Sequence, residues 1–191
     1  MITQRYTVQY RRKRSGKTDY KKRLSLLSGK KLRLVIRRSN KHILLQAVIF
    51  ENKGDKVVLS AHTQELEKQG WKGNTGNSSA AYLCGLLFSK KAKAKKITEL
   101  IPDIGMQTSV KGSLIYAALK GINDGGLKVP CAQEVYPEEK RIKGEHIAQH
   151  AKVLKGNVTA YQKYFARYLK VGLAPEELPK HFEQIKKSLM V

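Results

Sequence analysis

LRLVIRRSNKHILLQAVIFENKGDKVVLSAH, residues 32–62, decides the fold. Three stretches within it, 32–37, 42–50 and 55–62, are rich in Val, Ile and Leu, and the first alternates apolar with polar residues. That pattern is the mark of a half-buried β-strand. Arg38-Ser39-Asn40-Lys41 and Asn52-Lys53-Gly54 separate the stretches and carry turn chemistry. Three strands at this spacing predict an antiparallel meander.

Downstream of the meander the period changes from two to nearly four. Thr63–Gln69 predicts a short helix ended by Gly70, and the small polar run 72–79 predicts a turn that closes in a helix cap. Residues 80–95 place Ala81, Leu83, Cys84, Leu87, Phe88 and Ala92 at helical spacing, with a lysine tail at Lys90, Lys91, Lys93, Lys95 and Lys96. The default expectation for that tail is a solvated helix end that complements the helix dipole. Leu100–Gly105 predicts a short strand, Ser113–Asn123 an amphipathic helix stopped by Gly125-Gly126, and Leu127–Val129 one more strand. Helical spacing returns at 139–154, 157–170 and 180–189. Tyr161, Tyr164, Phe165, Tyr168 and Leu169 form an aromatic stripe, read as packing within that tail.

Upstream, charge replaces pattern. Fifteen of the first 41 residues are Lys or Arg, and only Asp19 among them is acidic, a net +14 of the +23 carried by all 191 residues. Tyr6, Tyr10 and Tyr20 are interleaved with Arg5, Arg11, Arg12, Lys13, Arg14, Lys17, Lys21, Lys22 and Arg23. Cations neutralise phosphates and tyrosine rings stack on bases or ribose, so this composition points to nucleic acid. Residues 1–19 are expected to be an extended arm that orders on binding, because they cannot bury enough apolar surface to fold alone. A short helix is expected over Tyr20–Leu27, starting near Asp19, anchored by Leu24 and Leu27 and ended by Gly29.

Other chemistry is weakly supported. Gly16-Lys17-Thr18 resembles the end of a phosphate-binding loop, but Arg11 stands where that loop requires glycine. His146 and His150 share a helix face without an obvious third ligand, so no metal is expected. Cys84 and Cys131 lack a CxxC spacing and read as reduced, buried thiols. A nuclease of the ribonuclease-H kind would need clustered carboxylates beginning on the first strand. That strand holds Arg33 and Arg37 instead, and Asp55, Asp103 and Asp124 fall near turns. An enzyme is not expected, and no catalytic residue or cofactor is assigned. No apolar run approaches the roughly 20 residues of a membrane span, and no secretory signal is expected at MITQRYTVQY.

Several longer stretches, in order along the chain, carry a resemblance. RRKRSGKTDYKKRLSLLSGKK (11–31), LRLVIRRSNKHILLQ (32–46), GWKGNTGNSSAAYLCGLL (70–87) and DIGMQTSVKGSLIYAALKGINDGGLKVP (103–130) are four of them. RIKGEHIAQHAKVLK (141–155) and LPKHFEQIKKSL (178–189) complete the set. Together they resemble the 5S ribosomal RNA-binding family of the large subunit, the eighteenth in its naming series, in its archaeal and eukaryotic form. The length suits the archaeal branch.

The resemblance implies an α/β fold, a mixed sheet with packed helices akin to the ribonuclease-H-like motif without its catalytic carboxylates. It implies a basic arm (1–30), an α/β core (31–130) and a helical C-terminal extension (131–191). The implied partners are 5S rRNA, 23S rRNA and other large-subunit proteins of the central protuberance, in the cytoplasmic ribosome. Arg11, Arg12, Lys13, Arg14, Lys17, Thr18, Asp19, Tyr20 and Arg23 match the family's arm. Arg37, Arg38, Ser39, Asn40 and Lys41 match its basic turn, and Trp71, Asn74 and Thr75 its GW…TGN element. With Arg5, Tyr6, Tyr10 and Arg33 these are the expected RNA contacts. Read from residues alone, a lone Trp such as Trp71 is more often a core anchor. Pro102 departs from the family pattern and is expected to remove one backbone donor from its strand.

Overall fold

The computed structural model describes residues 7–190, and Arg5 and Tyr6 lie outside them. The meander forms as expected: β1 (Arg33–Arg38), β2 (Ile43–Glu51) and β3 (Gly54–His62) pair antiparallel in sequence order. A register shift between Ala47 and Val48 leaves an extra residue on β3 and twists the hairpin. β4 (Ile101–Asp103) lies parallel to β1 on its other side, so the sheet order is β3-β2-β1-β4. Pro102 sits opposite Leu34 in this ladder. Ile101 N–H donates to Leu32 O at 2.9 Å, and in a parallel pair the next residue's N–H would face away from β1. Proline is tolerated because its missing donor belongs to the outer edge. Leu127–Val129 is a single bridge, Glu99 to Lys128, and not a strand.

Side-chain alternation gives the sheet two faces. Leu34, Ile36, Ile43, Leu45, Ala47, Leu59 and Ala61 point to one side and are buried. α4 (Ser78–Ala94) and α5 (Leu114–Asp124) cover that side. α4 is buried on nearly every side, because α5 and the C-terminal helices pack on it as well. The α4–α5 contact is close enough to require glycine. A Cβ at Gly121 would lie 2.1 Å from Tyr82 O, and one at Gly85 would lie 2.3 Å from Ala118 O. Asn77 caps α4 by accepting from Ala80 N–H at 2.8 Å.

The lysine tail of α4 is not simply solvated. Lys95 Nζ donates to Val58 O at 2.6 Å and Lys91 Nζ to Ser60 O at 3.1 Å. β3 is an edge strand, so these ammonium groups occupy outward carbonyls that would otherwise invite another strand. α3 (Glu65–Lys68) is shorter than expected, and its Glu65 pairs with Lys91.

The C-terminal third folds into α6 (Glu139–Lys143), α7 (Glu145–Leu154), α8 (Val158–Lys170) and α9 (Leu178–Met190). The single helix expected over 139–154 breaks at Gly144, whose φ of 81° is open to glycine at little cost. Phe165, Tyr168, Leu178, Phe182, Ile185 and Leu189 join the same apolar cluster as the sheet and α4. Each large side chain so buried contributes about 1.5–3 kcal/mol. Of the aromatic stripe, Phe165 and Tyr168 are interior, while Tyr164 is exposed. No helix among the described residues is long and apolar enough to cross a membrane.

Candidate nucleic-acid interface

The second face of the sheet mixes Arg33, Arg37 and Gln46 with valines and is only lightly covered. The described part of the arm, residues 7–30, lies over it, and not as an extended strand. α1 (Arg11–Arg14) is one helical turn, closed by Lys17 N–H donating to Arg12 O and by Arg12 Nε donating to Thr18 Oγ1, both at 2.9 Å. Local hydrogen bonds give this segment a fold that a count of buried apolar area does not foresee. α2 (Tyr20–Ser28) follows, and Asp19 caps it by accepting from Lys21 N–H and Lys22 N–H. Leu24 is exposed and not an anchor. Tyr20, Arg23, Leu26 and Leu27 are half-buried, so the helix is rotated to aim Arg23 at the sheet.

Arg23 Nη2 meets Asp55 Oδ1 at 2.7 Å, and Nη1 donates to Asp55 Oδ2 at 2.8 Å. This is a forked pair, the strong geometry for a guanidinium and a carboxylate. It holds the Asp55 carboxyl below its ordinary pKa, and nearby Arg33 adds to the effect against the desolvation that opposes it. Asp55 Oδ2 also lies 2.8 Å from Arg33 Nη2. Arg33 Nη1 donates to Asp103 Oδ2 at 3.0 Å, and Arg37 Nη1 to Asp103 O at 2.9 Å. Asp103 Oδ1 further accepts from Gly105 N–H at 2.9 Å. Two of the three acids that the sequence scatters near turns, Asp55 and Asp103, are therefore neighbours, and both are committed to arginines. Their carboxylates are occupied as salt-bridge partners, and the described residues contain no group of three or more His, Cys, Asp or Glu placed to hold a metal. His150 instead packs edge-on to Tyr164 and Phe165.

With the acids neutralised, the remaining cations face outward. Tyr10, Arg11, Arg12, Lys13, Arg14, Lys17 and Lys22 are exposed. Lys22 Nζ reaches Gly105 O at 3.5 Å, beside the Arg37 guanidinium, so α2 and the end of β1 converge there. Beyond Arg37 the exposed turn Arg38-Ser39-Asn40-Lys41 is closed by Ser39 N–H donating to His42 O and His42 N–H to Ser39 Oγ. Thr75 Oγ1 donates to Lys41 O at 2.9 Å, which braces the turn against the loop 74–77.

Three of the expected RNA contacts are interior. Arg33 is 1% exposed, Thr75 0% and Trp71 2%. Trp71 stacks on His181 with ring centroids 5.2 Å apart, and its Nε1 donates to Asn74 O. The structure thus places Trp71 and Thr75 as supports for the basic turn and α9, and Arg33 as the anchor under the arm. Asn74 itself is exposed. Residues not singled out in the sequence also line the site: Val35, Gln46, Val48, Val57 and Gly105. The strand period could have found Val35 and Gln46, since each alternates with a core residue.

Exposed cations around a floor whose acids are already paired make a surface for a polyanion, and define a nucleic-acid-binding protein. A family model described as the ribosomal large subunit proteins 60S L5 and 50S L18 matches residues 4–100, just over half of the chain, which takes in α1, α2, β1–β3 and the basic turn and stops short of Asp103 and Gly105. The chain belongs to that family, the 5S rRNA-binding large-subunit proteins that its sequence resembles. It is a structural component of the ribosome, which places it in the cytoplasm, and not an enzyme.

Proposed function

We propose that the arm and the open face of the sheet grip 5S rRNA and fix it against 23S rRNA in the central protuberance. The observation that carries this is the sorting of charge. Asp55 and Asp103 are held by Arg23, Arg33 and Arg37, while Arg11–Arg14, Lys17, Lys22 and Arg38–Lys41 keep solvent-facing groups for phosphates. The division of labour follows the chain. Residues 1–30 bind RNA, 31–130 support them and add the basic turn Arg38–Lys41, and 131–191 offer the surface for neighbouring ribosomal proteins. The order β3-β2-β1-β4, with β4 parallel to β1, supports kinship with the ribonuclease-H-like plan, its acids turned to ion pairs.

The test is a competition. Labelled 5S rRNA is bound at about 0.2 M salt, where unspecific phosphate contacts are weakened, and challenged with excess tRNA. Retention of 5S rRNA supports the reading. Displacement by tRNA at equal concentration would leave only a general RNA-binding polycation. Adding a 23S rRNA fragment should then give a ternary complex with 5S rRNA, and its absence would sink the anchoring role.

A further inference from the structure

Between α2 and the open sheet face lies a cleft of about 520 Å³. We infer that it receives one unstacked nucleotide of the bound RNA, an inference that rests on the RNA-binding role proposed above. The volume falls in the ordinary range for a small-molecule site, roughly 300–1,000 Å³, and is far too small for a duplex.

Its lining is divided as a nucleotide is divided. Val35, Val48 and Val57 form an apolar floor, and Leu26 and Tyr20 of α2 form the opposite wall. A base has two apolar faces to cover, and RNA recognition depends on splayed-out bases held in this way. Gln46 stands among the valines on the floor and brings an amide, both donor and acceptor, to the edge of a base. At the mouth, Arg12, Lys17 and Lys22 supply cations for the phosphate.

Arg33 closes the back of the cleft and gives a second, independent pointer. It is 1% exposed, yet among the described residues its Nε has no hydrogen-bond acceptor. Its Nη2 is taken by Asp55 Oδ2 at 2.8 Å. Buried guanidinium donors are rarely left unpaired. A base carbonyl or ring nitrogen entering the cleft is the acceptor that Nε lacks. The acids present do not repel such a guest, because Asp19 caps α2 and Asp55 and Asp103 are paired.

The experiment fills the cleft without touching its cations. Val57 is 48% exposed, so Val57→Trp is compatible with folding, and Gln46→Ala removes only the amide. Ile49→Trp, at an exposed neighbour outside the lining, is the control. Each variant, checked by circular dichroism, is titrated with 5S rRNA and with 5S rRNA made abasic at single unpaired positions. Val57→Trp and Gln46→Ala should each weaken binding roughly tenfold, the scale of one lost base contact, with the salt dependence unchanged. Ile49→Trp should bind as the parent does. One abasic position should reproduce the loss in the parent and add nothing in Gln46→Ala. Parent-like binding by both cleft variants overturns the inference and leaves the 5S assignment standing. A parent chain that prefers 5S rRNA no more than tRNA overturns both.

Discussion

The two faces of the sheet solve opposite problems with the same strands. On one, Leu34, Ile36 and Leu45 meet α4 and α5 in a dry core, where backbone approaches backbone through Gly85 and Gly121. On the other, Arg33, Val35 and Arg37 meet a short basic helix that buries no residue fully. The first face is held by shape, the second by charge. The difference teaches that stability and binding are largely separable here. The core can be damaged without altering the cations, and the cations removed without entering the core. The exception is Arg33, a charge placed in the interior, where the two faces share one residue.

That shared point should give an effect as large as any. Asp103→Ala would strip buried Arg33 of its hydrogen-bonded acid and leave only Asp55 beside it, at a cost of about 3 kcal/mol, the lower end for breaking a buried pair. Urea unfolding measures it, and a loss below ~1 kcal/mol would show that the network is decoration. Next comes the closed face. Gly121→Ala drives a Cβ into Tyr82 O, a backbone atom that cannot rotate away, and should cost about 3 kcal/mol, the upper end for overpacking. Binding by the fraction that remains folded should not change.

Replacing Arg11, Arg12, Lys13 and Arg14 with Gln makes the reverse comparison. The melting temperature should hold, because none of the four is buried. The slope of log K for 5S rRNA against log salt should become shallower by roughly 3, since each phosphate contact contributes about 0.7–0.9. An unchanged slope would exclude these four as phosphate contacts.

The smallest effect concerns pH. Arg23 first, then Arg33, lower the Asp55 pKa in the folded chain. A depressed carboxyl stabilises the fold above its unfolded pKa, near 3.9 for Asp, and that contribution fades as pH falls through the folded value. Docking of α2 should therefore be constant through neutral pH and loosen only in acid. A carbon NMR titration of Asp55 with a midpoint at or above the ordinary value would break the account.

Much of this was legible in the sequence because it is local. Alternation in 32–62 predicts the meander, small polar residues at 72–79 the cap of α4, and clustered cations the kind of partner. Other features depend on residues far apart. Leu24 reads as an anchor until Arg23 meets Asp55 and turns the helix. The lysines at 91 and 95 read as solvated until β3 presents its edge. Trp71 and Thr75 match an RNA-contact motif, yet packing buries both, Thr75 against the basic turn and Trp71 against His181 of α9.

What the sequence determined by itself was the three-strand meander, the main helices that follow it, the basic arm, and a polyanionic partner. Periodicity and net charge are carried by neighbours along the chain and need no fold to be read. Only the tertiary structure decided which charges remain free. Asp55 and Asp103 are 48 residues apart in the chain, and it takes the order β3-β2-β1-β4, with β4 beside β1 and β3 one strand away, to bring both to Arg33. Pairing in space, and not composition, sets which cations are left for RNA.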